Sequence, residues 1–281
     1  MAEAKGKLQR LWLSLQVGLS AWTSCGRCDV HLNFIGGEPP REHEPGILLA
    51  CCDEIYYRKF ARALVETAKR HSPRQHVHVH VYEPTDAWKA EAKALVGEYR
   101  GLTVSWEDSR RNPYRSEDRN YIYFAAARFA VVRQLVEQFQ SPILVVDTDG
   151  LVVRSLDEPF ASFAGHDVGL IRRRTLKPWK KNLAAALLVQ PTPNGIAFIG
   201  RVADVLQMVL ARKPDFHVDQ LVVHSVDRAF RLSSKSLRVF PLTRVLADWE
   251  LRPDTYIWSA KGERKTQFAD RARQVMDTPA E

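Results

Sequence analysis

The sequence predicts an α/β fold: a single domain built on a Rossmann-like, mostly parallel central sheet flanked by helices. Three observations predict it. Short apolar, β-branched runs alternate with segments of helical spacing from residue 46 to residue 146, the order that builds βαβ units and a doubly wound sheet. The run Ile143-Leu-Val-Val146 is apolar without alternation, as expected of a strand buried on both faces of a parallel sheet. It ends in Asp147-Thr-Asp149-Gly150, and open α/β sheets bind their ligands outside the carboxyl ends of the strands.

The elements follow in order. Residues 1–45 read as an N-terminal extension that closes in the turn-rich Gly36-Gly-Glu-Pro-Pro40,. Gly46–Cys52 is a first buried strand ended by Asp53, and 57–70 has helical spacing through Phe60, Ala63, Leu64 and Ala68,. His76-Val-His-Val-His-Val-Tyr82 alternates with period two and is a second strand; its three histidines read as a polar or half-buried face rather than a metal site,. A helix over 87–99 and a strand over 102–106 continue the alternation. The next helix runs from about Ser116, an N-cap followed by Glu117 and Asp118, through Tyr121, Phe124, Ala125, Val132 and Leu135 to Phe139,. Beyond Asp149, apolar strands over 168–171 and 184–189 flank the loop Arg172-Arg-Arg-Thr-Leu-Lys-Pro-Trp-Lys-Lys181. Its cations read mainly as solvated surface, although such a cluster also suits a polyanionic ligand. Helices over 195–212 and about 216–230, then a strand near 237–240, complete a domain spanning 46–268, with 269–281 as a C-terminal tail.

Composition narrows the chemistry. At 281 residues and 45% hydrophobic content the chain suits one folded domain, and its net charge of +8 favours anionic partners,. Cys25-Gly-Arg-Cys28 has the spacing of half a zinc site, but the adjacent pair Cys51 and Cys52 would point to opposite sides of a strand,. So few cysteines in a chain this size imply neither a zinc site nor a disulfide framework, and a reducing, cytoplasmic setting is the default. No run approaches the roughly 18 apolar residues that span a bilayer. The segment Leu11–Trp22 reads as an amphipathic stretch that packs on the domain or rests on a membrane surface. Asp147 and Asp149 supply two hard oxygen ligands on alternate residues, a pattern that favours Mg²⁺ or Mn²⁺ held against a diphosphate.

Taken in order along the chain, these residues resemble the GT-A glycosyltransferases, and most closely the retaining glycosyltransferase family 8, over roughly 46–268. Ala50-Cys-Cys-Asp53-Glu-Ile-Tyr56 is similar to that family's opening segment. The resemblance implies that Ala50, Cys51, Asp53 and Tyr56 hold the nucleotide of a UDP-sugar, the last two contacting uracil and ribose. Arg128 looks like the family's donor-contacting arginine on the helix before the metal strand. Asp147-Thr148-Asp149 matches its Asp-x-Asp motif, with Asp147 and Asp149 as metal ligands and the whole motif as a donor contact. His217-Val-Asp219-Gln220 resembles the family's Asp-Gln pair. By analogy Asp219 binds sugar hydroxyls, and the carbonyl of Gln220 stabilises oxocarbenium character at the anomeric carbon. Ser259-Ala-Lys-Gly262-Glu-Arg-Lys265 has the spacing of a His-x-x-Gly-x-x-Lys segment. Gly262 and Lys265 then form the diphosphate turn, while serine stands where the third metal ligand is expected. In Asn182–Thr192 the pattern also departs, with Leu183 and alanine in place of the expected asparagine and glycine.

The resemblance implies a metal-dependent transferase that moves a hexose-type sugar from a UDP-sugar to an acceptor hydroxyl with retention. The acceptor could be a glycan, a lipid-linked saccharide or a protein; peripheral membrane contact is possible and no nucleic acid is expected. Two alternatives stand beside it. Ser259 and the altered strand suit a GT-A-like module that binds a nucleotide or partner without catalysis. Val146–Val152 also matches the first motif of haloacid-dehalogenase-like phosphatases, but that motif opens its domain, whereas about a hundred residues of βαβαβ precede it here.

Overall fold

The computed structural model describes residues 2–23, 30–115, 119–233 and 236–279. Cys25, Cys28 and the expected N-cap region Ser116-Glu117-Asp118 lie outside the described residues. The elements are α1 (Ala2–Ser20), β1 (Asn33–Gly36), β2 (Ile47–Asp53), α2 (Glu54–Tyr56), α3 (Arg62–His71), β3 (His76–Tyr82), α4 (Asp86–Glu98), β4 (Leu102–Glu107), α5 (Asn120–Phe139), β5 (Ile143–Val146), β6 (Gly150–Val152), α6 (Asp157–Phe163), β7 (Val168–Arg172), β8 (Asn182–Val189), α7 (Pro193–Leu210), α8 (Asp219–Leu232), β9 (Val239–Pro241), β10 (Ile257–Ser259) and α9 (Phe268–Asp277). A π-helical turn over Tyr57–Ala61 joins α2 to α3.

Eight strands form one sheet in the order β1-β4-β3-β2-β5-β8-β7-β9, in which β1 and β8 run against the other six. The sheet is therefore mostly parallel, with one reversed strand placed beside β5. Strand residues alternate between two cores, as period-two geometry requires. Ile47, Leu49, Ile143 and Val145 pack towards α1, α5, α7 and α8. Leu48, Ala50, Leu144 and Val146 pack towards α3, α4 and α6. Local signals set the element ends. Thr85 and Thr192 cap α4 and α7 by accepting from the backbone N–H of Trp88 and Gly195,. Gln140 stops α5 in a left-handed conformation, with φ at 50°,. At Gly46 a Cβ would stand 2.4 Å from Phe160 and 2.7 Å from the carbonyl of Pro142, so only glycine fits the entry to β2.

The segment read as an N-terminal extension is joined to this body. β1 adds the edge strand, paired antiparallel with β4. Helix α1 turns Val17 into the larger core and leaves Leu11, Trp12, Leu15 and Leu19 exposed. At the other end α9 packs on α3, with the imidazole of His71 hydrogen-bonded to the Val275 carbonyl at 3.0 Å.

The face of β3 that carries the histidines is wholly buried, which corrects the expectation of a polar or half-buried face: His76, His78 and His80 are each 0% exposed. The reason lies in β4, whose hydroxyls stand in register with them. Thr103 Oγ1 bridges His76 Nε2 at 2.9 Å and His78 Nδ1 at 2.7 Å, and Ser105 Oγ bridges His78 Nε2 at 2.8 Å and His80 Nδ1 at 2.9 Å. Glu44 Oε2 lies 3.2 Å from His76 Nδ1, and Phe34 packs edge-on against His78 at 5.8 Å.

Burial holds these imidazoles neutral, with His76 lowered to about 4, His80 to about 3 and His78 well below the ordinary range,. In the unfolded chain they take up protons near pH 6.5. The folded state therefore binds fewer protons than the unfolded state below that pH, and stability falls as pH drops from about 6.5 towards the folded values. We expect the histidines' share of the unfolding free energy, read by urea denaturation, to be flat above pH 7 and to fall steeply between pH 6.5 and 4.5, by up to about 1.4 kcal/mol per pH unit for each histidine. A stability independent of pH across that window would contradict the buried ladder.

Candidate active site

The site forms where β2 and β5 end side by side, with Ala50 paired to Val146. β2 runs on to Asp53, while β5 stops and the chain turns through Asp147-Thr148-Asp149. Thr148 Oγ1 donates to the Cys51 carbonyl at 3.1 Å, fixing the turn to β2. Gly150 then begins β6, which pairs with β10 so that Ser259 lies opposite Gly150. That two-stranded ribbon brings the C-terminal segment over the acids, and the Ala260 N–H donates to the Asp149 carbonyl at 2.9 Å. Gly262, with φ at 68°, makes the turn that a side chain would strain,. It delivers Lys265, whose Nζ lies 3.0 Å from Asp149 Oδ2 and donates to the Tyr56 hydroxyl at 2.8 Å.

On the other side Arg128 reaches in from α5. Its guanidinium donates to Asp147 Oδ1 at 2.7 Å, to Asp219 Oδ2 at 3.0 Å and to the Ala184 carbonyl of β8 at 2.9 Å. Burial pulls its pKa down, but the carboxylates of Asp147 and Asp219 outweigh this and hold it above its ordinary range,. Asp219 Oδ1 accepts the Gln220 N–H at 2.9 Å, so both oxygens of this 5% exposed carboxylate are engaged within the protein.

Between these groups lies a cleft of about 260 Å³. Of the residues anticipated from the sequence, Cys51, Asp53, Tyr56, Arg128, Asp147, Thr148, Asp149 and Lys265 line it. Four others are placed elsewhere. Ala50 is buried inside β2, Gly262 shapes the turn, Asp219 stands behind Arg128, and Gln220 faces a neighbouring cleft, where its Oε1 accepts from Arg173 at 2.9 Å. Asp53 caps α2 by accepting from the Tyr56 N–H at 2.8 Å. The cleft also includes Tyr121, Phe124, Ala125, His217 and Lys261, to which sequence reasoning assigned no role. Tyr121, Phe124, Ala125 and Arg128 share one stripe of α5 at helical spacing, a pattern that also describes core packing. Tyr121 meets His217 edge-on at 5.4 Å, closing the cleft between the starts of α5 and α8.

Asp149 is held above the ordinary carboxylate range by burial and by the nearby charge of Asp147, with Lys265 acting in the opposite sense,. Two carboxylates gathered at one turn suit a shared cation. Among the described residues no group of three His, Cys, Asp or Glu side chains converges as a metal cage. Asp147 and Asp149 fit a divalent ion that keeps water and phosphate oxygens for its remaining coordination. Cys51 is no thiolate nucleophile, since burial pushes its thiol up to about 12,.

No protein-family model and no curated protein matches the sequence. Solved structures do match in fold. The glycosyltransferase GlyE of Streptococcus pneumoniae TIGR4 aligns with a TM-score of 0.56 at 11% identity, covering 83% of this chain and 60% of that chain. The bifunctional glycosyltransferase WbbM aligns with a TM-score of 0.56 at 12% identity, covering 87% of this chain and 51% of that chain. The galactosyltransferase LgtC, solved with donor and acceptor sugar analogues, aligns with a TM-score of 0.54 at 12% identity, covering 83% of this chain and 97% of that chain. This chain thus spans little more than half the length of the first two. The fold is that of the GT-A glycosyltransferases. No helix of the described residues is long and apolar enough to cross a membrane.

Removing Arg128 would leave Asp147 and Asp219 close together without their shared cation. We expect Arg128→Ala to cost about 3–5 kcal/mol of unfolding free energy and Asp219→Asn in the same chain to restore part of it, both read by urea denaturation. A cost below about 1 kcal/mol, the range of a surface pair, would show that the charge is not structural.

Proposed function

We propose that the protein is a glycosyltransferase that moves a hexose-type sugar from a UDP-sugar to an acceptor hydroxyl with retention of anomeric configuration, with Mg²⁺ or Mn²⁺ as its metal. The observation that carries this reading is the convergence of Asp53, Tyr56, Arg128, Asp147, Asp149 and Lys265 from separate segments on one cleft, at the end of the sheet where this fold binds its ligands. The resemblance of the ordered motifs to retaining family 8 supports the finer assignment.

Each side chain has a task in this reading. Tyr56, Tyr121 and Phe124 offer aromatic surface to a flat base, and Asp53 offers an acceptor to ribose hydroxyls. Lys265 sits where it can pair with the leaving diphosphate, and its ammonium is already held in place by Tyr56 and Asp149. A divalent ion on Asp147 and Asp149 supplies charge neutralisation of that same leaving group. Arg128 positions Asp147, and Asp219 positions Arg128. In the transfer the bond from the anomeric carbon to the diphosphate oxygen breaks, and the acceptor oxygen bonds to that carbon on the same face. The acceptor proton passes to the departing phosphate oxygen, so no separate general base is required. Positioning and charge stabilisation supply the rate.

A second reading, nucleotide binding without transfer, is favoured by one observation. Both carboxylates already pair with cations of the chain, Asp147 with Arg128 and Asp149 with Lys265.

Calorimetric titration with UDP tests the donor assignment. We expect Mn²⁺ to tighten UDP binding at least roughly tenfold, or ~1.4 kcal/mol, and both Asp149→Ala and Lys265→Ala to weaken it. UDP binding indifferent to metal and to Asp149→Ala would sink the proposal. Release of UDP from a panel of UDP-sugars then separates the two readings, because binding without turnover of any donor supports the second.

A further inference from the structure

Beside the donor cleft lies a second opening of about 300 Å³ that shares His217 and Lys261 with it. This opening continues, through Arg173 and Lys180, into a third of about 350 Å³. Together they make one trough that runs from Asp149 past Gln220 to the basic loop between β7 and β8.

Two features distinguish the far end of the trough from a solvated basic face. The first is uncompensated charge. Arg173, Arg174, Lys180 and Arg244 line it together, and among the described residues none of them forms an ion pair with a carboxylate. Arg172, which lines the same opening, is by contrast paired, lying 2.6 Å from Asp227. Arg173 is nevertheless fixed, donating to Gln220 Oε1 at 2.9 Å and to the Lys180 carbonyl at 2.8 Å. Burial and the charge of Arg244 hold its pKa below the ordinary range. Like charges gathered in this way destabilise one another until an anion binds.

The second feature is aromatic. Trp249 and Trp179 form a wall of the middle opening. Arg244 and Lys261 lie 5.7 and 6.0 Å from the centroid of the Trp249 ring,. The indole N–H of Trp249 is buried with no acceptor among the described residues. An indole face in the wall of an opening suits a saccharide, which offers an apolar ring face.

We propose that this trough is the acceptor subsite and that the acceptor is a phosphoryl-bearing saccharide. The sugar ring lies against Trp249 and Trp179, the phosphoryl group is held by the cluster of Arg173, Arg174, Lys180 and Arg244, and the nucleophilic hydroxyl reaches the donor sugar past Gln220. A cluster of four cations calls for a dianion or diphosphate rather than a single carboxylate, and guanidinium forks match phosphate oxygens in pairs. The inference rests on the glycosyl-transfer reading of the neighbouring cleft, and its covalent step is the one written above. The phosphoryl group can belong to a soluble sugar phosphate or to a lipid-linked one. Leu176, 97% exposed at the tip of the same loop, makes the second source worth a separate arm.

The test is a calorimetric titration of the full chain, saturated with UDP and Mn²⁺ so that the donor cleft is blocked. The probes are a methyl hexoside, the matching hexose 1-phosphate, and a long-chain alkyl ester of that phosphate in detergent. We expect the phosphate to bind at least ten times more tightly than the hexoside, and this preference to vanish in Arg174→Ala/Arg244→Ala. Arg174→Glu, a single change at an exposed position, should reverse it even if the double variant fails to fold. Tighter binding of the alkyl ester assigns a lipid-linked acceptor; equal binding of the two phosphates assigns a soluble one. Equal binding of hexoside and phosphate, or a preference that survives in the variants, would overturn the proposal. Failure of UDP itself to bind would sink the donor reading and the acceptor role with it, whereas UDP binding without the phosphate preference sinks this inference alone.

Discussion

The candidate site depends on one buried guanidinium. Arg128 ties α5 to the end of β5, to the reversed strand β8 and to the first residue of α8. A charge removed from water is costly unless it is paired and hydrogen-bonded, so the four elements are constrained to meet where its partners stand. Asp219 opens α8 and is favoured there by the positive end of the helix as well as by Arg128,. Asp147 is held in the same way, and its position sets the turn that aims Asp149 at Lys265. The reversal of β8 is part of this arrangement. Because it runs antiparallel to β5, its early residues, including Ala184, lie beside the end of β5 and can supply a carbonyl to the guanidinium.

Much of this was legible in the sequence because it follows from local pattern. The apolar strands β2, β5, β7 and β8 and the period-two β3 declare themselves, and the acids at the end of β5 mark the crevice. What the sequence did not disclose depends on long-range partners. The edge strand β1 is too short for any period to appear in it. The orientation of β8 is set by packing beside β5, not by its own composition. The histidine face of β3 looked half-polar because the hydroxyls that satisfy it lie on β4, more than twenty residues away. Tyr121 and Phe124 lie on a stripe that reads equally as core or as cleft, and the docking of α8 decides between the two. Gln220 was recognisable as one of a pair, but its direction depends on Arg173.

The charge of the chain is distributed unevenly in a way its total does not reveal. Around the acid pair, positive and negative groups are matched almost one for one, with Arg128 and Lys265 facing Asp147, Asp149 and Asp219. In the adjoining trough Arg172 pairs with Asp227, whereas Arg173, Arg174, Lys180 and Arg244 have no carboxylate partner among the described residues. A ligand that bridges the two regions would meet a nearly neutral, hydrogen-bonding end and a strongly positive one. This polarity can orient it before any specific contact forms.

The histidine ladder of β3 has a direction. Each neutral imidazole donates from one nitrogen and accepts at the other, and a bridging hydroxyl can donate only once. A proton on His76 Nδ1, 3.2 Å from Glu44 Oε2, would leave Nε2 to accept from Thr103,. Thr103 then accepts from Nδ1 of His78, whose Nε2 accepts from Ser105, and Ser105 in turn accepts from Nδ1 of His80. The remaining nitrogen, His80 Nε2, has no partner among the described residues, which agrees with its being the lone acceptor at the end of the line. A proton held there beside Glu44 would fix the tautomer of three rings in succession, and all their dipoles would then point the same way across the sheet.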